Sequence, residues 1–155
     1  MDLDKVRQVC KIAQKHGLVV ASGFILGFPG ETREMTMHTI DFAKSLDIHY
    51  AQFSIMVPYP GTPLFDQLKA RGEIPDVREN DFSCYNQNIG NTDLEPVFVP
   101  KGRTADELKK LQKKAYAEFY LRPKMVWMHL RHINASRLLG ILRSFFAVLK
   151  LAIWR

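Results

Sequence analysis

The chain has 155 residues, of which 46% are hydrophobic and 25% are charged, and its formal net charge is +6. These values predict one ordinary globular domain with a core, and they exclude intrinsic disorder and a collagen-like repeat. The two cysteines, Cys10 and Cys84, are far apart, which excludes a disulfide framework and a cysteine-rich zinc site. A reducing, cytoplasmic setting is expected, and residues 1–5 lack the apolar run of a secretory signal.

The first part of the chain predicts alternating helices and strands. Apolar residues at 2–16 recur at helical spacing, whereas the run at 18–27 is apolar on both faces, which is typical of a strand covered on both sides. Thr32 is expected to cap the helix that follows. The predicted elements are, in order, a helix at 2–16, a strand at 18–27, a turn at 28–32, a helix at 33–46, a strand at 50–57, a proline-rich loop at 58–63 and a helix at 64–71.

The later part of the chain predicts an irregular segment and then helices. Prolines, glycines, Asn and Asp are frequent at 73–103, with short strands expected at Ser83–Tyr85 and Pro96–Val99. Thr104 to Glu107 have the pattern of a capping box, which marks the start of a helix. Further helices are expected at 104–122, at 123–132 and from about 137 to the end, with Pro123 separating the first two.

The order helix–strand–helix–strand–helix is typical of a βα repeat with a parallel sheet. Two parallel strands do not make a stable buried sheet by themselves, because buried strands need neighbours. The sequence therefore predicts that the chain is a piece of a larger α/β assembly. The sheet edge at which earlier strands would pair is expected to be open.

The positive charge is concentrated in the last third of the chain. Residues 1–100 have a balance of −4, residues 101–155 have a balance of +10, and no acidic residue follows Glu118. A basic tail can contact nucleic acid, anionic lipid or an acidic protein surface, or it can be a solvated face. Because no RRM, KH or helix-turn-helix pattern accompanies it, nucleic-acid binding is not expected.

Residues 137–155 combine a wide apolar face with a narrow polar stripe. Such a face is too wide for a freely solvated helix. Arg143 and Lys150 interrupt it, so the segment is a poor transmembrane span. It is expected to dock on protein or to lie at a membrane interface, such as the inner face of the cytoplasmic membrane.

Two turns that contain glycine and proline form the candidate site. Residues 27–32 follow the first predicted strand, and residues 58–62 follow the second. Neither turn matches a P-loop or a dinucleotide-binding fingerprint, and locally each is also compatible with a plain βα connection. Both turns nevertheless lie at the carboxyl ends of parallel strands, where α/β sheets bind ligands. Glycine there leaves room for a flat ring or a phosphate to approach the backbone.

The two strand–turn segments carry a specific resemblance. Residues 23–32, Gly-Phe-Ile-Leu-Gly-Phe-Pro-Gly-Glu-Thr, and residues 53–64, Phe-Ser-Ile-Met-Val-Pro-Tyr-Pro-Gly-Thr-Pro-Leu, resemble the late strands of the radical S-adenosylmethionine (radical-SAM) partial barrel. Residues 115–124 are similar to the helical C-terminal extension of the branch with a cobalamin-binding domain. The resemblance covers about residues 1–133. It implies the C-terminal portion of a partial (β/α)6 TIM-like barrel plus an α-helical extension.

The resemblance also implies which residues lie beside S-adenosylmethionine. The family's Gly-x-Ile-x-Gly pattern is matched by Gly23, Ile25 and Gly27, and its acidic residue is matched by Glu31, one position late. The family contacts the adenine ring here through backbone and apolar groups. An adenine-side wall is thereby implied, although each member is also compatible with a plain core or turn role: Gly23, Ile25, Gly27, Phe28, Val57, Pro58 and Tyr59.

The chain departs from the family at the reactive centre. The family holds a [4Fe–4S] cluster through Cys-x-x-x-Cys-x-x-Cys, but this chain has only two cysteines and no Gly-Gly-Glu segment for the methionine amino group. Catalytic residues and metal ligands are therefore not expected here, and the cluster and cobalamin belong to the parent enzyme. The pair His129 and His132 lacks a nearby carboxylate or cysteine and is interpreted as solvated.

Two hypotheses follow from the sequence. In the first, the chain is a fragment of a cobalamin-dependent radical-SAM enzyme of the methylation or rearrangement class, inactive alone. In the second, it is a non-catalytic interaction or membrane-peripheral module. The partner is the missing N-terminal half or a separate chain. The expected division is 1–72 for the last βα units, 73–103 for a connecting segment and 104–155 for the helical extension with its basic apolar tail.

Overall fold

The computed structural model describes residues 2–74 and 95–131. Within these ranges every helix and strand coincides with a predicted one, and the ends differ by at most three residues. The elements are α1 (Leu3–Lys15), β1 (Ala21–Leu26), α2 (Arg33–Ser45), β2 (Tyr50–Ile55), α3 (Pro63–Ala70), α4 (Ala105–Tyr120) and α5 (Pro123–Arg131).

Two short strands had been expected between α3 and α4. The prediction at Pro96–Val99 is wrong, because this stretch contains neither helix nor strand. Phe98 from this stretch is nevertheless buried in a core cluster, although the stretch forms no strand. The prediction at Ser83–Tyr85 and the last predicted helix lie outside the described residues.

Side chains at the helix ends explain where the helices begin. Asp2 accepts a hydrogen bond from the Asp4 amide at 3.0 Å and so caps α1. Thr104 accepts a bond from the Glu107 amide at 3.2 Å before α4. The expected capping box is only half formed, because the Glu107 carboxylate accepts from Arg103 instead. That difference places a buried arginine at the start of α4.

The strands β1 and β2 pair with each other in one sheet. The amide of Tyr50 donates to the carbonyl of Val20 at 3.2 Å, and six residues later the amide of Met56 donates to the carbonyl of Leu26 at 2.8 Å. The strands therefore run parallel, as predicted. The loops that follow them begin side by side at the same end of the sheet.

The sheet is buried on one face and exposed on the other. The burial of side chains alternates along both strands, so the prediction of strands covered on both faces is wrong for this chain. An apolar run in the sequence does not reveal which of its faces is covered within the same chain. The residues on the exposed face include Gly23, Ile25, Tyr50 and Gln52, and those on the buried face include Phe24, Leu26, Ala51, Phe53 and Ile55.

Side chains from α4 occupy the edge of β2. The hydroxyl of Tyr120 accepts from the Ala51 amide at 3.1 Å and donates to the Ala51 carbonyl at 2.9 Å. The buried amide of Gln112 donates to the carbonyl of Phe53 at 2.8 Å. These bonds take the positions of a neighbouring strand and close this edge of the sheet.

The edge of β1 is different. Val20 and Leu26 direct their carbonyls toward β2, so Ala21, Gly23 and Ile25 direct their backbone groups to the opposite side. Among the residues of 2–74 and 95–131, β2 is the only strand paired with β1. The sheet is therefore open to extension along β1.

The chain divides into two compact units. One comprises Met1–Ser22, Ile40–Gln52 and Lys113–Arg155, and the other comprises Gly23–Thr39 and Phe53–Gln112. In the first unit, the ammonium of Lys44 lies 2.7 Å from Asp41 and 2.6 Å from Glu118. The second unit contains a buried apolar cluster of Met56, Leu68, Ile74 and Phe98.

A helix that spans a membrane needs about 20 consecutive apolar residues. None of the helices in 2–74 and 95–131 is long and apolar enough to cross a bilayer. The tail at 137–155 lies outside the described residues, so its predicted docking on protein or on a membrane surface stays a prediction.

Replacing Tyr120 with Phe tests the closed edge of β2. We expect a loss of about 1–3 kcal/mol in the free energy of unfolding near neutral pH, because two half-buried backbone groups lose their partner. Burial raises the pKa of Tyr120 above its ordinary 10.0. The unfolded chain therefore loses this proton first, and the stability advantage of the wild type shrinks as pH rises above about 10.

Urea unfolding of both proteins between neutral and alkaline pH measures this difference. Replacing the exposed Trp127 with Phe is the control at an aromatic residue that does not titrate, and it should leave both the stability and its pH dependence close to wild type. Hydrogen bonds to Asp41 and Glu118 raise the pKa of Lys44. All three proteins therefore also lose folding stability as pH rises through that pKa. A constant gap between wild type and the Tyr120 variant at all pH values would contradict the assignment.

Candidate functional site

The turn after β1 is held by a buried carboxylate. One oxygen of Glu31 accepts hydrogen bonds from the amides of Gly27 and Phe28, each at 2.9 Å. The amide of Glu31 in turn donates to the Phe28 carbonyl at 2.9 Å. Glu31 is only 8% exposed, so these bonds form away from water and are strengthened by the carboxylate charge.

The first turn of α2 completes the shell around that carboxylate. The hydroxyl of Thr36, which is fully buried, donates to the second oxygen of Glu31 at 2.6 Å. Thr32 accepts from the amide of Met35 at 3.3 Å, which confirms its predicted role as a cap. The turn is thereby fixed to the start of α2 through both its backbone and the Glu31 side chain.

The segment before α4 brings a buried guanidinium to the same turn. The amide of Arg103 donates to the Pro100 carbonyl at 3.0 Å, which forms a tight turn ahead of the helix. The Arg103 side chain is only 5% exposed. Its Nη1 donates to the Glu31 carbonyl at 3.1 Å and to the Thr36 hydroxyl at 3.2 Å, and its Nε donates to Glu107 at 2.9 Å.

Gly27 requires glycine for two separate reasons. Its φ is +85°, in the left-handed region that side chains disfavour. A Cβ built at Gly27 would also lie 3.3 Å from both methyl groups of Leu108 on α4. The backbone at the end of β1 therefore packs directly against the first turns of α4.

The predicted site residues of the first turn lie in two different environments. Ile25 and Phe28 are 50% and 43% exposed, and no atom lies within 4 Å of a Cβ built at Gly23. Gly27 is buried beneath them. The sheet end therefore presents an open apolar surface above a tightly packed turn.

The predicted site residues of the second turn begin beside the first. The bond from Met56 to Leu26 joins the two strand ends, and Val57, Pro58 and Tyr59 follow directly. Pro58 is buried, Val57 is half-buried and Tyr59 is 53% exposed. The Thr62 hydroxyl donates to the Tyr59 carbonyl at 2.7 Å and closes this turn.

The residues at the two turns suit some ligand groups and not others. Exposed apolar side chains beside an uncovered glycine suit the flat face of an aromatic ring. An iron–sulfur cluster does not fit, because it needs several thiolates. Cys10 is buried in the other unit, and the part of the chain that the structure describes contains no group of three His, Cys, Asp or Glu able to hold a metal.

Three polar residues at this site were not predicted to act there. Glu31 was recognised only as the acidic residue of a motif, and Thr36 and Arg103 were assigned no role. A carboxylate directly after Pro-Gly, followed five residues later by a threonine, is the local signal for the first two. Arg103 is 72 residues from its Glu31 partner, so no local pattern reveals it.

The sequence of the chain is similar to segments of larger known proteins. No protein-family model matches the chain. The chain is 39% identical, over 88% of its length, to 28% of an uncharacterized methyltransferase of Pyrococcus horikoshii. It is 28% identical, over 74% of its length, to 24% of the bacteriochlorophyllide d C-12(1)-methyltransferase of Chlorobaculum tepidum.

A third relative carries out a different reaction according to its name. The chain is 27% identical, over 90% of its length, to 21% of the anaerobic magnesium-protoporphyrin IX monomethyl ester cyclase of Cereibacter sphaeroides. The chain thus spans about a quarter of the length of these relatives. It is similar to one segment of larger methyltransferases and of a cyclase.

Substituting Ala at two glycines separates backbone strain from packing. Both Gly27 and Gly30 have positive φ, but only a Cβ at Gly27 meets Leu108. We expect Gly30→Ala to lower the free energy of unfolding by about 1–2 kcal/mol. Gly27→Ala should cost about 1–3 kcal/mol more, because the methyl group overpacks the core. Urea unfolding measures both; equal losses would show that the Leu108 contact relaxes without cost.

Proposed function

We propose that this chain is the C-terminal segment of a cobalamin-dependent radical-SAM enzyme of the methylation or rearrangement class. In this proposal it contributes the adenine-side wall of the S-adenosylmethionine site and does not hold the [4Fe–4S] cluster. The observation that carries the proposal is the pair of turns at one end of the parallel sheet, with exposed apolar side chains beside an uncovered glycine.

The similarity to named enzymes supports the reaction class. Two of the relatives are called methyltransferases and one is called an anaerobic cyclase. The two whose names state a substrate act on large planar tetrapyrroles. We infer that the parent enzyme acts on an apolar or ring-containing substrate, in agreement with the open apolar face of the sheet.

The role of each turn residue follows from its exposure. Ile25 and Phe28 offer apolar surface to the adenine ring, while Gly23 leaves its face of β1 free for close approach. Val57 and Tyr59 form the neighbouring rim, with Tyr59 the more exposed of the two, and the buried Pro58 restricts the backbone between them. Gly27 contributes backbone shape, since it is itself buried.

The reactive centre belongs to the part of the parent enzyme outside this chain. A bound cluster supplies the electron that cleaves the sulfonium bond of S-adenosylmethionine, which is chemistry of the cofactor rather than of the protein. Cys10 and Cys84 cannot replace the three thiolates of the family motif. Alone, the chain is expected to bind adenine weakly and to be catalytically inactive.

A second candidate is a non-catalytic module that packs on a separate partner chain. The edge of β1 that no strand among the described residues pairs with favours it, because an exposed edge strand can pair with a strand of another chain. The DNA upstream of Met1 distinguishes the candidates. An in-frame or frameshifted Cys-x-x-x-Cys-x-x-Cys there would support one interrupted enzyme, whereas unrelated upstream DNA would favour the separate module.

Titration of the ¹⁵N-labelled chain with adenosine tests the adenine-side wall. We expect shifts confined to the amides of residues 23–28, Val57 and Tyr59. We expect Ile25→Asp to weaken them because it places a charge where the ring would pack. Val9→Asp, at an aliphatic side chain 63% exposed on α1, is the matched control and should leave the titration unchanged. Shifts spread over other surfaces, or none, would contradict the proposed wall.

Reconstitution with iron and sulfide tests the proposal that this chain does not hold the [4Fe–4S] cluster. The purified chain should remain colourless and should hold no stoichiometric iron, because it cannot supply three thiolates. Fusion to an upstream segment that carries the three-cysteine motif is the positive control and should give a brown, cluster-containing protein. A stoichiometric [4Fe–4S] cluster in the chain alone would overturn this part of the proposal.

A further inference from the structure

Arg103 occupies an unusual position for a charged residue. Its side chain is 95% buried at the start of α4, although Arg is rarely buried unless it is paired. Nε binds the Glu107 carboxylate, and Nη1 binds both the Glu31 carbonyl and the Thr36 hydroxyl. The buried Nη2 has no acceptor among the described residues. The guanidinium is therefore oriented by the Glu31 turn on one side and by Glu107 on the other.

Each of the two groups that Nη1 binds also fixes the adenine-side turn. The Thr36 hydroxyl donates to the Glu31 carboxylate, and that carboxylate accepts from the amides of Gly27 and Phe28. Arg103 holds the backbone of the same glutamate through its carbonyl. Arg103 is thus hydrogen-bonded to the Glu31 backbone, and the Glu31 side chain is hydrogen-bonded to the amide of Phe28. Arg103 reaches the turn through Glu31 and Thr36.

The same part of α4 contacts this turn a second time. Leu108 packs against Gly27, where even one added methyl group would lie at 3.3 Å. Arg103 and Leu108 therefore hold the turn from residues 103–108, one by hydrogen bonds and the other by close packing.

We propose that Arg103 is a positioning residue for adenine recognition, acting through Glu31 on the turn at Gly27 and Phe28. The inference rests on the proposed function, because it takes that turn to be the adenine-side wall. It assigns the start of α4 a role in ligand affinity and not only in packing. A hydrogen-bonded fork of this kind requires arginine, since a lysine ammonium cannot reach three partners in one plane.

Three variants of the full chain separate positioning from stability. Arg103→Met removes the guanidinium and its hydrogen bonds to Glu107, Glu31 and Thr36. Arg33→Met removes an arginine that is 62% exposed and lies 3.9 Å from the other oxygen of Glu107. Leu68→Ala empties part of the cluster with Met56, Ile74 and Phe98 and so destabilises the same unit, while it leaves every hydrogen-bond partner of Arg103 in place.

The measurements are adenosine affinity by ¹⁵N titration, hydrogen exchange of the Gly27 and Phe28 amides, and urea unfolding. We expect Arg103→Met to weaken adenosine binding about tenfold and to speed exchange of both amides, as the loss of a buried charged bond network should. Arg33→Met should stay within about twofold of wild type, as an exposed ion pair contributes little. Leu68→Ala should lose stability but keep its affinity.

The outcomes distinguish this inference from the proposed function. If the wild-type chain shows no adenosine shifts at these amides, the proposed adenine-side wall is wrong. In that case, unchanged exchange of the Gly27 and Phe28 amides in Arg103→Met would also overturn the inference about Arg103. If wild type binds and Arg103→Met binds equally, or if Leu68→Ala loses as much affinity, Arg103 has no positioning role. If Arg103→Met does not fold, Arg103→Lys replaces it, with weakened binding supporting the inference and wild-type binding overturning it.

Discussion

The carboxylate of Glu31 is the interaction on which the end of β1 depends. A buried backbone N–H without a partner costs about 1–3 kcal/mol, and the turn after β1 directs two of them, from Gly27 and Phe28, into the interior. One glutamate oxygen satisfies both, and the other is held by Thr36. The two amides therefore converge on a single oxygen. Phe28 is nevertheless 43% exposed, while the glycine before it is buried.

The order of helices and strands was predictable because its signals are local. Apolar periodicity and the capping residue Thr32 before α2 are both read within a few residues. The location of the two turns at one end of the sheet was also predictable, because parallel strands bring their carboxyl ends together. The adenine-side roles of residues in those turns came from resemblance and stay a prediction.

The contacts that could not be predicted join residues distant in the chain. Arg103 and Glu31 are separated by 72 residues, and Gln112 and Phe53 by 59. A sequence shows that an arginine precedes a helix but not which carbonyl it will meet. The capping box illustrates the same difficulty, since Glu107 has two competing donors and Arg103 prevails over the Thr104 amide. Likewise, an apolar strand does not reveal that one of its faces is left uncovered within the chain.

The hydrogen bonds from Tyr120 and Gln112 to β2 have a consequence for self-association. Fibrous aggregation through a sheet needs two free edges on every copy, so that each new copy presents another template. Here one edge is already filled by side chains of the same molecule. If two copies paired along their β1 strands, each would use its open edge. Both outer edges of the combined sheet would then be the closed edges of β2. Edge-to-edge association of the described sheet would accordingly stop at pairs instead of growing into filaments.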